Sequence, residues 1–433
     1  MLLKKTNQDP IPHGSSGPLS MPIPREESTP LQSSSSNSKA LSNRILVVNS
    51  HPIQYFVPLY RSIQEAGANV TVLYCSKHGL EGETDKEFGV SVKWDIPILE
   101  GYTPVFFKNY SFKSSVYGFW GLINFGLIPY LFKAPKSVLI VYGWGYFSYW
   151  LAIIFGKLAG HTICVRGDTN NISEGQRAGL RFRLRKFILS KILFRMVDYC
   201  LYIGNENKQF YKSNEVPEIK LGFSPFSVDN NRFRRFAKEW ENNLDELKKS
   251  LGLPLNKKII LFSGKFISIK RPLDLLKAFH QCRYKGDAAL VFMGEGDLRK
   301  DMEAYIEKNN LNNVLLTGFV NQSKVSEYYA VSSILIMCSE KDAWGLSVNE
   351  AMNFSMPIIL SDTVGSASDL VEEGKNGCVY PSGDVSALTE KMDMLLSASP
   401  EKLEEMGAYS KKIIDRYSYD ENIKTLFKIC EGL

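Results

Sequence analysis

The sequence predicts an α/β fold built from two facing parallel-sheet domains of the Rossmann type. Three observations carry that expectation. Short, continuous apolar runs alternate with segments of helical spacing; the alternation occurs twice; and a charged, helical stretch at 231–256 separates the two series. Apolar runs that do not alternate with polar residues mark strands covered on both faces, and strand–helix alternation implies parallel sheets.

Taken in order, residues 1–43 hold six prolines, four consecutive serines at Ser33–Ser36 and few large apolar side chains. Such a segment buries too little surface to offset its ordering entropy, so a disordered tail is expected. No apolar core of signal-peptide length follows Lys4-Lys5, and no secretion signal is read there. The first series, 44–230, has strands at Ile45–Asn49, Val70–Cys75, Val138–Val141, Thr162–Val165 and Tyr199–Ile203, with a helix over Val57–Ala66. Residues 137–156 are 20 in a row without a charge, long enough to span a bilayer. Gly143 and Gly145 divide them, and the favoured reading is a buried strand followed by a helix from Tyr146. The second series, 257–412, has strands at Lys258–Phe262, Ala289–Met293, Val314–Thr317, Ile334–Met337 and Pro357–Leu360. Helices at Pro272–Tyr284, Asp297–Lys308, Ser323–Val331 and Leu346–Phe354 lie between them. Residues 413–433 form a closing helix expected to cross back to the first domain. Ligands of open parallel sheets bind beyond the carboxyl ends of the strands, so the cleft between the domains is the expected site.

Composition excludes several kinds of chemistry. Hydrophobic residues make up 44% and charged residues 23%, close to ordinary globular averages, so fibrous and wholly disordered classes are excluded. The seven cysteines are odd in number and at least 36 positions apart, several inside strand-like runs. A disulfide framework is therefore not expected, and a reducing cytoplasm is. The five histidines show no paired-ligand spacing, and no Asp-x-Asp occurs; no metal site is expected. The net charge of +6 is locally concentrated. Arg177, Arg181, Arg183, Arg185, Lys186, Lys191 and Arg195 lie within 19 residues that contain no acid. Leu180, Leu184, Phe187, Ile188, Ile192 and Leu193 interleave with them at helical spacing, the pattern of a helix lying on a membrane surface. The ordinary alternative is an amphipathic helix packed on its sheet with solvated cations.

The second series holds the stronger chemical signal. After the strand ending at Phe262 come Ser263-Gly264-Lys265 and then Lys270-Arg271-Pro272, a small turn and a helix start ringed by cations. Such an arrangement suits a phosphate, although a solvated basic loop has the same composition. Gly294-Glu295-Gly296 repeats the turn after the next strand. In Glu340-Lys-Asp342-Ala-Trp-Gly345-Leu346-Ser347-Val-Asn-Glu350, seven residues separate Asp342 from Glu350. Gly345-Leu346-Ser347 opens a helix whose free N–H groups can hold a diphosphate, and Glu350 lies one turn further on, where a carboxylate can accept from a ribose diol. Alone, the two acids read equally well as a helix-start acid and a surface acid.

Together these segments resemble the GT-B glycosyltransferases, specifically the retaining glycosyltransferase family 4 (glycosyl transferases group 1), over residues 44–430. FSGKFISIKRPLDLLKAF, VFMGEGDLRKDME, VLLTGFVNQSKVSEYY and DAWGLSVNEAMNFSMPII carry the likeness. RILVVNSHPIQYFVPLYRSI, VRGDTN, LYIGNENKQFY and FSPFSVDNNRF resemble the subset that opens with an HPIQY motif. The resemblance implies hexosyl transfer from a UDP- or GDP-type sugar to an acceptor hydroxyl, with retention and without a metal. Glu350 would bind the donor ribose and Asp342 the transferred sugar; the family more often has Glu at the latter position. Lys265 and Lys270 would contact the diphosphate, and Gly264, Gly294, Glu295, Phe319, Val320, Gly345, Leu346 and Ser347 would complete the donor site. Arg166-Gly167-Asp168 stands where many relatives have a catalytic histidine, so Arg166, Asp168 and His51 are the candidates for catalysis on the acceptor side. The implied partners are a nucleotide sugar, a glycan or lipid-linked acceptor and an anionic membrane surface, with no nucleic acid, at the cytoplasmic face of the membrane. The competing readings are a GT-B nucleotide-sugar epimerase and a non-catalytic basic protein binding membrane or nucleic acid.

Overall fold

The computed structural model describes residues 43–80, 97–174 and 179–432. Its first sheet contains β1 (Arg44–Asn49), β2 (Asn69–Tyr74), β3 (Thr103–Phe106), β4 (Val138–Val141), β5 (Thr162–Arg166), β6 (Tyr199–Tyr202) and β7 (Leu221–Phe223) in the order 3-2-1-4-5-6-7. The second contains β8 (Lys258–Ser263), β9 (Ala288–Met293), β10 (Val314–Gly318), β11 (Ile334–Met337), β12 (Ile358–Ser361) and β13 (Gly377–Tyr380) in the order 10-9-8-11-12-13. Every pairing is parallel. The Ser/Pro-rich segment 1–43 lies outside the described residues except for Asn43.

Each sheet has an apolar core on both faces, which is why its central strands are continuous apolar runs. On one face of the first sheet, Leu46, Val48, Leu139 and Val165 pack against Leu131, Ile153, Leu193 and Phe194, from helices Leu127–Lys133 and Phe147–Leu158 and the helical run 180–196. On the other, Ile45 and Val47 meet Leu59 and Ile63 of helix Val57–Glu65, together with Leu426, Ile429 and Cys430 of helix Tyr419–Cys430. The carboxyl-terminal helix therefore packs on the first sheet although it follows the second.

The uncharged stretch 137–156 divides into β4 and most of helix Phe147–Leu158. Among the described residues no helix is long and apolar enough to cross a membrane. Residues 231–256 depart from the expected single linker helix. They hold all but the first residue of helix Asn230–Trp240, a turn, and helix Leu244–Ser250. Asn242 and Asn243 occupy the break, and asparagine side chains compete with helix by bonding nearby backbone. All seven cysteines are free and buried.

Candidate active site

Both sheets reverse direction of winding at their first strand, between β1 and β4 and between β8 and β11. Loops leaving such neighbouring strands diverge to opposite faces and open a crevice at their carboxyl ends. The two crevices face each other across a cleft of about 810 Å³. His51–Tyr55 after β1 lines one wall; Ser263–Lys265 after β8, Lys270, and Lys341–Ser347 after β11 line the other.

The donor-side loops are stitched together by backbone. Gly264 N donates to Met293 O (3.0 Å), Phe266 N to Glu295 O (2.8 Å) and Gly294 N to Gly318 O (3.1 Å). A Cβ on Gly294 would lie 1.9 Å from Gly264 O, and its φ of +156° disfavours any other residue. Gly264, Lys265, Gly294, Phe319 and Val320 line the cleft. Glu295 does not. Its carboxylate turns back to Arg299 Nη1 (2.8 Å), one turn along the same helix start, so it braces the loop instead of meeting a ligand. Arg271 is likewise drawn off the expected phosphate position by Asp274 (2.9 Å) and Glu340 (2.8 Å).

Gly345, left-handed at φ +93°, caps helix Leu346–Asn353. The N–H groups of Leu346 and Ser347 belong to its first turn, which has no intrahelical acceptors for them. Glu350 is 4% exposed. Its Oε2 accepts from Tyr329 OH (2.6 Å), and Tyr329 Oη also lies 3.1 Å from Ser263 Oγ. Its Oε1 is buried without a hydrogen-bond partner among the described residues. Burial pushes the Glu350 carboxyl up to about 7, against the opposing hydrogen bond from Tyr329. Asp342 is ion-paired with Lys270, so the residues expected on sugar and diphosphate hold each other.

On the opposite wall His51 Nδ1 lies 2.9 Å from Ser50 Oγ, and its ring meets His78 edge-on at 5.2 Å. Desolvation, and then the nearby His78 charge, lower it to about 4; its imidazole is neutral at physiological pH. Gln54 is 7% exposed, and its Oε1 is a second buried acceptor without a partner among the described residues. Burial raises the Tyr55 hydroxyl above its ordinary range, and the charge of Glu350 across the cleft adds to this. Asp168 is raised by desolvation, with Asp342 contributing, although its side chain keeps an exposed flank.

Arg166 corrects the expectation of a catalytic role. Its guanidinium is buried among Phe56, Tyr142 and Phe226, 4.8 Å from the Phe226 centroid. It donates to Ser224 O (3.3 Å) and Pro225 O (3.0 Å) on the segment after β7 that leads to the second domain. Asn422 holds the same crossover through Pro225 O (3.1 Å) and Ser227 Oγ (3.1 Å). Arg166 therefore braces the crossover segment, and it is not among the residues that line the cleft. Sequence reasoning left Gln54, Tyr55, His78, Phe226, Ser263 and Tyr329 without roles. All but His78 lie inside the quoted motifs, which gave them no individual role.

The cationic segment is helical over Leu180–Ile188 and continues through a π-helical turn at Leu189–Leu193 to Phe194–Met196. Arg181, Arg183, Lys186 and Arg195 are exposed; Arg185 and Lys191 are half-buried, and Lys191 pairs with Glu215. Arg177 lies outside the described residues. Among the described residues no three His, Cys, Asp or Glu side chains cluster to hold a metal ion.

A glycosyltransferase from Rickettsia africae ESF-5 superposes with a TM-score of 0.69 at 15% identity, covering 90% of this chain and 98% of that one. The Anabaena HepE protein, solved with UDP and glucose, gives 0.68 at 13% identity, covering 90% and 100%. The fold is that of the GT-B glycosyltransferases. Within this GT-B chain, residues 243–413 match the family of glycosyl transferases group 1. Spore coat protein SA of Bacillus subtilis is 30% identical over 190 residues, 41% of this chain and 49% of that protein. N-acetyl-alpha-D-glucosaminyl L-malate synthase of Bacillus anthracis is 27% identical over 158 residues, 36% and 41%. The chain spans about half the length of the curated relatives it matches.

Proposed function

We propose that the protein transfers a hexosyl-type sugar from a UDP- or GDP-type donor to an acceptor hydroxyl, with retention of configuration and without a metal ion. The observation that carries this reading is Glu350: a buried carboxylate with one oxygen held by Tyr329 and the other bare, beside a helix start and two lysines. A ribose diol supplies two O–H donors to such an acceptor. Loss of the nucleoside diphosphate builds negative charge, and Lys265, Lys270 and the N–H groups of Leu346 and Ser347 are positioned to stabilise it. Asp342 is then the group for sugar hydroxyls once Lys270 turns to phosphate. His51, neutral, and Asp168 are the candidates for handling the acceptor proton.

The acceptor is proposed to be a glycan or a lipid-linked sugar, in polysaccharide or glycoconjugate synthesis. The reaction is proposed to run in the cytoplasm at the inner membrane face, with Arg177, Arg181, Arg183, Arg185, Lys186, Lys191 and Arg195 favouring peripheral attachment. Thermal shifts with UDP, GDP, dTDP and ADP, followed by their sugars, test the donor. UDP is the first choice because the similar HepE structure holds it. A bound nucleotide should raise the melting temperature in the wild type and not in Glu350→Ala. Equal shifts in both proteins would refute the site; no shift with any of the four would refute the donor class.

A further inference from the structure

Among the described residues His51 is hydrogen-bonded through one ring nitrogen alone, Nδ1, which lies 2.9 Å from Ser50 Oγ. Its Nε2 has no such partner and is not sealed from solvent, so it opens to the cleft that the ring lines. Which nitrogen carries the proton is set by the bond that the other makes. Ser50 therefore decides. Asn49 Nδ2 donates to Tyr60 Oη (3.1 Å), which leaves Asn49 Oδ1 to accept from Ser50 N (2.8 Å). That same oxygen is 3.5 Å from Ser50 Oγ, too far for an O–H···O bond. The hydroxyls of Tyr146 and Tyr149 also stand near Ser50, and burial keeps both protonated. Each brings a proton of its own, and Tyr146 gives its proton to Val116 O. The Ser50 hydroxyl is left to donate to Nδ1, so the imidazole proton sits on Nε2 and faces the cleft. Burial and the edge-on His78 ring keep the imidazole neutral.

Gln54 supplies the complement. Its side chain lines the same wall and is 7% exposed, and its Oε1 is buried without a partner among the described residues. The amide nitrogen is taken up by the neighbouring Tyr55 hydroxyl. A buried carbonyl left unpaired is costly, and the cleft is the side from which a donor can reach it. One donor and one acceptor, three positions apart in one loop, match a hydroxyl group, which gives one proton and accepts another. The first-domain residues that line the cleft are His51–Tyr55, His78 and Gly79, with no Asp, Glu, Lys or Arg among them. On this wall a phosphate or carboxylate would find no lysine or arginine, and an ammonium no carboxylate.

We propose that His51 Nε2–H and Gln54 Oε1 clamp one hydroxyl of an uncharged acceptor sugar, with His51 serving as a hydrogen-bond donor and not as a base. Ser50, acting through His51, is the positioning residue. The imidazole lone pair is already engaged at Nδ1, which leaves Asp168 as the candidate for the proton of the attacking hydroxyl. Only the assignment of the clamped hydroxyl to the acceptor rests on the transferase reading; the tautomer does not.

The test is nitrogen-15 magnetic resonance of the histidine-labelled full chain, with His51 assigned by the signals that His51→Gln removes. From about pH 5.5 to about pH 8 the ring should carry its proton on Nε2 and none on Nδ1. Ser50→Ala should mix the tautomers, and Tyr146→Phe should leave them unchanged. With UDP present, octyl glucoside or octyl galactoside should shift the Nε2–H signal, and Gln54→Leu should weaken that response about tenfold. Octyl glucuronide is the anionic control. A proton on Nδ1, or an imidazolium persisting above about pH 6, would overturn the donor role. Silence toward both neutral glycosides, or a response to the glucuronide alone, with an intact UDP-induced thermal shift, overturns the clamp and spares the nucleotide site. Loss of the UDP shift in Gln54→Leu would place the clamped hydroxyl on the donor and overturn its assignment to the acceptor. A wild type that never responds to UDP, GDP, dTDP or ADP overturns the transferase reading and leaves the tautomer standing.

Discussion

Replacing Glu350 by glutamine should separate what this carboxylate costs the fold from what it does for a ligand. In the folded chain its pKa is about 7, against 4.5 when unperturbed, and the first cause is burial. Between those values the folded state keeps a proton that the unfolded chain has released. Stability from this group is therefore complete below pH 4.5 and is lost as pH rises toward 7. A shift of that size corresponds to about 3 kcal/mol once the group is fully ionised. Glutamine does not titrate. Its amide nitrogen, set where the bare Oε1 now lies, adds a penalty that is the same at every pH. The informative quantity is thus the difference between the two unfolding free energies, followed by urea denaturation without nucleotide from about pH 4.5 to about pH 8. That difference should move by about 3 kcal/mol in favour of the variant across the range, and then level off. Nucleotide affinity should behave in the opposite sense: weaker in the variant, and in the wild type tightening as the carboxylate ionises. A difference that stays constant with pH would mean that Glu350 is not a desolvated acid, and the argument for a bare buried acceptor in the donor site would fall with it.

Three further substitutions probe other links. Gly294→Ala places a Cβ 1.9 Å from Gly264 O; it should cost about 2 kcal/mol or more in a melting experiment and abolish nucleotide binding by displacing both donor loops. Lys270→Gln should lower the transfer rate about 100-fold, measured with saturating donor, because the leaving diphosphate loses a cation while Asp342 loses its partner. Arg166→Lys should fail to replace arginine, since a lysine ammonium cannot span Ser224 O and Pro225 O while stacked among three aromatic rings. A loss of about 2 kcal/mol in stability, with a broadened unfolding transition, is expected; a wild-type melting curve would refute the bracing role.

The strands that sequence pattern missed share one physical feature, although the edge strand β10, with its apolar run Val314–Leu316, was legible. β3, β7 and β13 escaped detection, and all three lie at sheet edges. An edge strand is buried along one side only, so it needs no continuous apolar run. β3 contains Pro104, β7 is three residues long with Gly222 at its centre, and β13 begins at Gly377. Proline and glycine are tolerated at edges and read as turns in a sequence. The central strands are buried on both faces and carry the signal for that reason.

Legibility within the cleft follows a similar division between local and distant. Gly345, Leu346, Ser347 and Glu350 were readable because a helix start and one helical turn fix their relation within six residues. The pairing of Lys270 with Asp342 joins residues 72 positions apart, through loops after different strands, and no local spacing encodes it. Arg166 shows the converse failure. Its place at the carboxyl end of β5 made it look like a cleft residue, yet a guanidinium is long enough to turn away from the cleft and bond the crossover segment at Ser224 and Pro225. Asp342 and Glu350 on the donor side and Gln54 opposite them belong to loops, or the helix that directly follows one, whose bases are fixed by the two switch points. Those loops had to arise where strand order reverses in each sheet, so their meeting was implied by topology even where the side-chain partners were not.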